Sequence, residues 1–250
     1  MAKATSIQVI DRMVLLLDAI AAHDEPVGLK QLAKATELHP STAFRILASL
    51  IEHGLVERSG TGNYRLGVRL LQLGSRVQGQ LDIRREALPI MEWLRDQIQE
   101  TVNLIMREGD CVVYVEHATP HRMMRVEQLI GSHAPLHVTA VGKLFLADAG
   151  AEACLEYAQR TNLKPCTPHS ITEPGRLWWV VKHALKQGYA LDDEEAELGV
   201  GCIGVPIRDG SGRVVAGFSV SAPIERRQES WVEIIQQAGK RLSVRLGHRE

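Results

Sequence analysis

Residues 28–58 read GLKQLAKATELHPSTAFRILASLIEHGLVER, and the spacing within this stretch decides the first half of the fold. Leu29, Leu32 and Ala33 predict a short helix that stops near Thr36, after which Glu37, Leu38 and His39 turn the chain into Pro40. The fixed φ of proline suits the first position of a new helix. Beyond it Ala43, Ile46, Leu47, Leu50 and Ile51 share one face, with Ser41, Arg45, Ala48 and Glu52 about half a turn away. Gly54 follows as a C-terminal cap. Upstream, Ile7, Ile10, Val14, Leu17 and Ile20 recur at helical spacing over 6–23, opened by a Thr5 and Gln8 capping box and closed by Asp24, Glu25 and Pro26. Downstream, 55–58 and 64–66 predict two short strands around Ser59-Gly60-Thr61-Gly62-Asn63, a loop of residues that tolerate positive φ. The result is two helices joined by a tight turn, preceded by a third and followed by a β-hairpin.

Charge is uneven over this region. Residues 1–80 carry nine Lys and Arg against seven Asp and Glu, whereas 26–80 alone carry seven against three, because acidic residues gather in and just after the first helix. A helix that starts with small hydroxyl residues and has an arginine one turn on can insert that end into a major groove. Ser41 and Thr42 then reach phosphate or base edges, and Arg45 either reads guanine or holds phosphate. Phe44 lies about a quarter turn from the core face, where it either touches a thymine methyl group or packs beside the second helix. Arg58 and Arg65 flank the hairpin, and Thr61 and Asn63 supply short polar side chains at its tip for a minor groove or the DNA backbone. The bland alternative is that Ser41, Thr42 and Arg45 form the solvated side of an amphipathic helix.

The whole chain has 250 residues, 45% hydrophobic and 24% charged, with 29 basic against 30 acidic side chains. That length suggests two domains of unequal size, and a formal charge of −1 means that any nucleic acid is held by a local patch. The four cysteines, Cys111, Cys154, Cys166 and Cys202, form no CxxC pair, so neither a zinc ribbon nor a disulfide framework is expected. Asp11 and Arg12 interrupt the first apolar residues, and no uninterrupted apolar run approaches the roughly 18 residues of a membrane span. A soluble, cytoplasmic protein without a membrane partner is the expectation. Eleven scattered aromatics make no stacking platform for single-stranded nucleic acid.

Leu70, Leu73, Val77 and Leu81 continue at helical spacing, so the expected division is 1–66, a linker helix at 67–81, and a second domain at 82–250. That second domain is α+β in pattern. A helix is expected over 83–99, strands over 102–107 and 111–117, and a further strand near 123–128. Helices follow over 139–147 and 177–186, then a hairpin of strands 203–208 and 214–221, and a last helix marked by Trp231, Ile234, Ala238 and Leu242. Along Gly217-Phe218-Ser219-Val220-Ser221, alternation puts both serines on one face, which either meets water or lines a cavity. The start of a helix at Thr139 to Lys143 offers free backbone N–H groups to a carboxylate.

IQVIDRMVLLLDAI, the stretch quoted above and NYRLGVRLLQLG together resemble the winged helix-turn-helix of the IclR family. PLHVTAVGKLFLA, GYALDDEEAELGVGCIGVPIRD and VVAGFSVSAP are similar to that family's effector-binding domain, in the expected order along nearly the whole chain. The resemblance implies a bacterial transcription factor, dimeric or tetrameric, that reads a pseudo-palindromic double-stranded operator. It also implies a GAF-like effector domain built on a curved antiparallel sheet. The family's motifs place ligand contacts at the Ala140 and Val141 backbone and at Asp192, Cys202, Ser219 and Ser221. Such a set suits a small oxo-, hydroxy- or aromatic carboxylate. Gly204 departs from the family pattern, where alanine is commoner, which puts the width of the strand beside Cys202 in question.

Other signals fail on context. Gly199-Val200-Gly201-Cys202-Ile203-Gly204 matches GxGxxG but opens no helix, and Gly142-Lys143 lacks the first glycine and the hydroxyl of a phosphate loop. Gly217 to Ser221 falls one glycine short of a nucleophile elbow. The ten histidines show no metal-ligand spacing, and no metal, cofactor or catalytic residue is expected. The reading from a different class is a GAF-like ligand-binding enzyme or thiol sensor using Cys202 or Asp192, with the N-terminal unit making protein contacts.

Overall fold

The computed structural model describes residues 7–60, 62–78 and 82–249, without the side chains of 75–78. It divides into two compact units, 1–81 and 82–250.

In the first unit, α1 (Gln8–Ala21), α2 (Leu29–Ala35) and α3 (Pro40–Glu52) precede a hairpin of β1 (Val56–Arg58) and β2 (Tyr64–Leu66), and α4 (Val68–Gln78) follows. This is a winged helix-turn-helix. Its core joins Leu16 and Ile20 of α1, Val27, Leu32 of α2, Ala43, Leu47 and Leu50 of α3, and Val56 and Tyr64 of the hairpin. Gly54 ends α3 at φ +69°, and its amide and that of Leu55 reach the carbonyls of Ile51 and Leu50, the paired closure that a left-handed residue permits. The hairpin is braced from outside, with Val27 bridging to Tyr64 and Asn63 Nδ2 donating to Pro26 O at 3.2 Å.

Helix α1 keeps only the Leu17 and Ile20 end of the expected stripe inward. Met13, Leu16, Leu17 and Ile20 pack on the core, while Ile7, Ile10 and Val14 are exposed. The helix is apolar on two sides, so periodicity alone does not choose between them. Its N-cap is Ile7, with no side-chain cap, and Thr5 of the expected capping box lies outside the described residues.

The second unit is a six-stranded antiparallel sheet with helices on both faces. Its strands are β3 (Thr101–Glu108), β4 (Cys111–Ala118), β5 (His133–Pro135), β6 (Ala190–Asp193), β7 (Val200–Arg208) and β8 (Val214–Pro223), in spatial order β5-β4-β3-β8-β7-β6. On one face α5 (Ile83–Ile98) and α8 (Val232–Arg245) bury Val102, Leu104, Ile203, Val205, Phe218 and Val220. On the other lie α6 (Ala140–Thr161), which departs from helical φ/ψ at Gly150, and α7 (Pro174–Gln187).

Two expectations change here. No strand forms near 123–128: β5 pairs with the first three residues of β4, and the segment before it is held by side chains instead. Arg122 and Arg226 both grip the buried Glu100 carboxylate, and Gln128 Oε1 accepts from Asn103. Strand β6 is an addition to the expected elements, and two of its four residues, Asp192 and Asp193, disfavour a strand by propensity. It forms by pairing Leu191 with Ile203 and Asp192 with Cys202.

Candidate functional site

Helix α3 opens with His39 as its N-cap, whose ring Nδ1 accepts from the Ser41 amide and lies 2.8 Å from Ser41 Oγ. Ser41, Phe44 and Arg45 are exposed, and Phe44 is 48% accessible, so it does not pack away beside α2. Thr42 is half-buried and, with Arg45 and Ser49, lines a groove of about 410 Å³ against Val9, Ile10 and Met13 of α1. The first turns of α3 thus present Ser41 and Phe44 outward and Thr42 and Arg45 along the groove.

On the hairpin, Arg58 donates to Gly62 O at 3.1 Å and lies over the Tyr64 ring. Arg65 donates through Nε and Nη2 to Glu57 Oε2 at 3.1 and 2.8 Å, and this contact holds the Glu57 carboxyl below its ordinary range. Arg58 is therefore turned back onto its own loop and Arg65 onto a carboxylate. Asn63 braces the hairpin against Pro26, and Thr61 lies outside the described residues. The other Glu57 oxygen accepts from the Val68 amide at the start of α4, and Arg69 reaches His53 O at 2.8 Å.

In the second unit the sheet face turned to α6 is polar where the opposite face is apolar. Antiparallel register aligns Asp192 with Cys202 and Cys202 with Ser221, while Ser219 lies opposite Gly204. All four of Asp192, Cys202, Ser219 and Ser221 are buried. Cys202 Sγ lies 3.3 Å from Ser221 Oγ. The first turn of α6 lies on the same strands, with Ala140 and Val141 buried and Thr139 capping the helix through the Gly142 amide. A Cβ placed on Gly204 would stand 2.9 Å from Ala140 Cβ and 3.0 Å from the Val141 amide nitrogen. Glycine at 204 therefore does not loosen the strand; it lets the helix start rest directly on the sheet.

Burial pushes the Asp192 carboxyl up to about 6, opposed by the nearby Lys143 ammonium. Its Oδ1 accepts from the Glu195 and Ala196 amides at 2.9 and 3.4 Å. Burial, aided by the Asp192 carboxylate, pushes the Cys202 thiol well above its ordinary value. A thiol held protonated is a poor nucleophile, which counts against a Cys202 redox sensor. Among the described residues no group of three or more His, Cys, Asp or Glu is placed to hold a metal ion, and no helix is long and apolar enough to cross a membrane.

Several residues of this face went unnoticed in the sequence. Thr101 and Asn103 of β3 pair with Ser221 and Ser219 and are buried beside them, and Asn103 Nδ2 donates to Ser221 Oγ at 3.1 Å. The alternation in Thr101-Val102-Asn103-Leu104 was the available signal. Tyr114 comes close enough for burial, and then Cys202 and Asp192, to raise its phenol. Lys143, met in the sequence only as a failed phosphate loop, is buried with its ammonium on Leu191 O and Glu195.

Residues 75–244 match the family described as "Bacterial transcriptional regulator IclR C-terminal", and residues 9–60 match the "IclR helix-turn-helix domain". The chain is 32% identical to the HTH-type transcriptional regulator XynR of Escherichia coli over 97% of its own length and 98% of that protein. It is 30% identical to the DNA-binding transcriptional repressor YiaJ of Escherichia coli, over 89% of its length and 80% of the other. It is also similar in structure to an IclR homolog from Microbacterium hydrocarbonoxydans complexed with 4-hydroxybenzoate, at 28% identity and a TM-score of 0.62, covering 95% of this chain and 98% of that one. With a helix-turn-helix unit and an effector-binding unit both matched in order, the chain belongs to the IclR family of bacterial transcriptional regulators.

Proposed function

We propose that this regulator represses transcription from a pseudo-palindromic operator and that a small carboxylate, bound in the second unit, changes its hold on DNA. The boundaries of the working parts are 1–66 for DNA, 67–81 for the linker and 82–250 for the effector. Ser41, Thr42, Phe44 and Arg45 enter the major groove, while Arg58, Thr61, Asn63 and Arg65 follow the backbone or minor groove beside it. The exposure of Ser41, Phe44 and Arg45 at the start of α3 supports this assignment. Repression is supported by the name of the relative YiaJ. The protein acts in the cytoplasm as a homodimer or a pair of dimers. Exposed Ile7, Ile10 and Val14 on α1 and Val68 and Leu71 on α4 supply apolar surface for a second copy, and twofold symmetry matches two half-sites.

The observation that carries the effector reading is the buried polar row Asp192, Cys202 and Ser221 beside the first turn of α6. The Ala140 and Val141 amides, which lack intrahelical acceptors, take the carboxylate. Ser219 and Ser221 donate to a second oxygen, and Asp192 exchanges a proton-bearing contact with a ligand hydroxyl. The 4-hydroxybenzoate complex of the Microbacterium homolog supports a carboxylate as the class.

The test is selection of genomic fragments by the purified protein at near-physiological salt, followed by titration of small carboxylates against the recovered operator. One or a few palindromic sites are expected, released or tightened by an acid in the wild type and not in Ser219→Ala. Operator binding indifferent to every acid tried, or a Ser219→Ala protein that still responds fully, would overturn the effector assignment.

A further inference from the structure

The face that holds Ser219 and Ser221 contains oxygen atoms with nothing to bond to. Thr101 Oγ1 and Asn103 Oδ1 are both buried without a hydrogen-bond partner. Each residue is 0% exposed, so water does not satisfy them from outside. Asn103 is fixed in orientation, because its Nδ2 donates to Gln128 Oε1 and to Ser221 Oγ, both at 3.1 Å. Those two bonds occupy both N–H groups of the amide and leave its oxygen as an acceptor only. Thr101 stands opposite Ser221 in the β3–β8 register, on the same face. A buried polar atom left unpaired forfeits its hydration without return, and native proteins carry few of them without a reason.

We infer that Thr101 and Asn103 select the effector, and that it is a hydroxy acid with a hydroxyl that donates a hydrogen bond to Asn103 Oδ1 while Thr101 Oγ1 bonds a second ligand oxygen. This rests on the carboxylate site proposed above and narrows its occupant. The donors already assigned there, the α6 amides and the two serines, answer a carboxylate. They leave nothing for Asn103 Oδ1, which an oxo acid, having only acceptors, does not satisfy either. A site built to accept from a ligand hydroxyl rejects the analogue lacking it, because its own buried oxygen is then stranded.

The experiment is calorimetric titration of the full-length protein with matched acids that differ in hydroxyl groups alone: gluconate with hexanoate, glycerate with propionate, and 4-hydroxybenzoate with benzoate. At least one hydroxylated acid is expected to bind about tenfold or more tightly than its partner. In Thr101→Val, which keeps the side-chain shape, and in Asn103→Leu that ratio falls to about threefold or less. The comparison within the wild type needs no variant, so a misfolded Asn103→Leu leaves the test intact. Equal binding within every pair, or a ratio that survives both substitutions, overturns the inference while the carboxylate site stands. No binding by any of the six acids counts against the carboxylate site itself, and the inference falls with it.

Discussion

Lys143 and Glu195 form an ion pair inside the effector-binding unit, with the lysine side chain 1% exposed. The lysine also donates to Leu191 O at 2.7 Å, so one ammonium ties α6 to β6 and to the turn after it. Thr167 and Ser170 hold the same turn by donating to the carbonyls of Glu194 and Glu195. Removing one partner of a buried pair strands the other's charge, whereas removing both leaves a packing problem only. Lys143→Met should lower stability by about 3–5 kcal/mol, and Lys143→Met with Glu195→Leu should restore most of it. All four tryptophans, Trp93, Trp178, Trp179 and Trp231, lie in this unit, so urea titration read by tryptophan fluorescence follows it separately. A double variant no more stable than the single one contradicts the pairing argument.

Asp192 makes stability depend on pH in a defined sense. Its carboxyl is raised from 3.8 to about 6, so the folded chain holds a proton that the unfolded chain has released. The stabilising contribution is complete below about pH 4 and is lost as pH rises through about 6. Asp192→Asn should abolish that part of the fall, gaining on the order of 2 kcal/mol on the wild type between pH 4 and pH 7. Urea midpoints at a series of pH values measure it, and parallel profiles for the two proteins would refute it.

Gly204 supports the helix start that lies over it. Gly204→Ala puts a methyl group into the 2.9 Å approach to Ala140, and either α6 or β7 must shift. A loss of about 1–3 kcal/mol is expected, together with weaker binding of any acid seated on the Ala140 and Val141 amides. Titration of operator release by the acid measures the second effect. Unchanged release with a normal melting curve would show that the first turn of α6 is not the seat of the ligand.

Arg45 stands exposed on α3, so Arg45→Ala should leave stability within about 0.5 kcal/mol of the wild type. Operator affinity should fall by about tenfold or more. The salt dependence identifies what Arg45 holds: loss of a phosphate contact lowers the slope of log K against log salt by about one, and loss of a guanine contact leaves it unchanged. Fluorescence anisotropy with a labelled operator reads both quantities. Full affinity in the variant removes Arg45 from the interface.

The helix-turn-helix was legible because α3 puts Ala43, Leu47 and Leu50 inside at the spacing read from the chain, between a proline start and a glycine stop. The serine face of β8 was legible from a different spacing, the period of two of a strand. What escaped has identifiable causes. Helix α1 is apolar on two sides, and only the neighbours on α3 decide which one is covered. Strand β6 is four residues long and half acidic, so its pairing with β7, not its composition, makes it a strand. Local alternation puts Thr101 and Asn103 on one face of β3, but only register and helix placement across 40 to 120 residues of sequence join them and Lys143 to the serines and to β6.

Glu57 is a single carboxylate with two dependants. One oxygen fastens Arg65 of the hairpin and the other receives the first amide of α4. Were Arg65 drawn away, that negative charge would answer to the amino end of α4 alone, where a helix dipole welcomes it. Hairpin and α4 thus share one counter-charge, so a substitution at Glu57 loosens both at once, where a substitution at Arg65 loosens the hairpin alone.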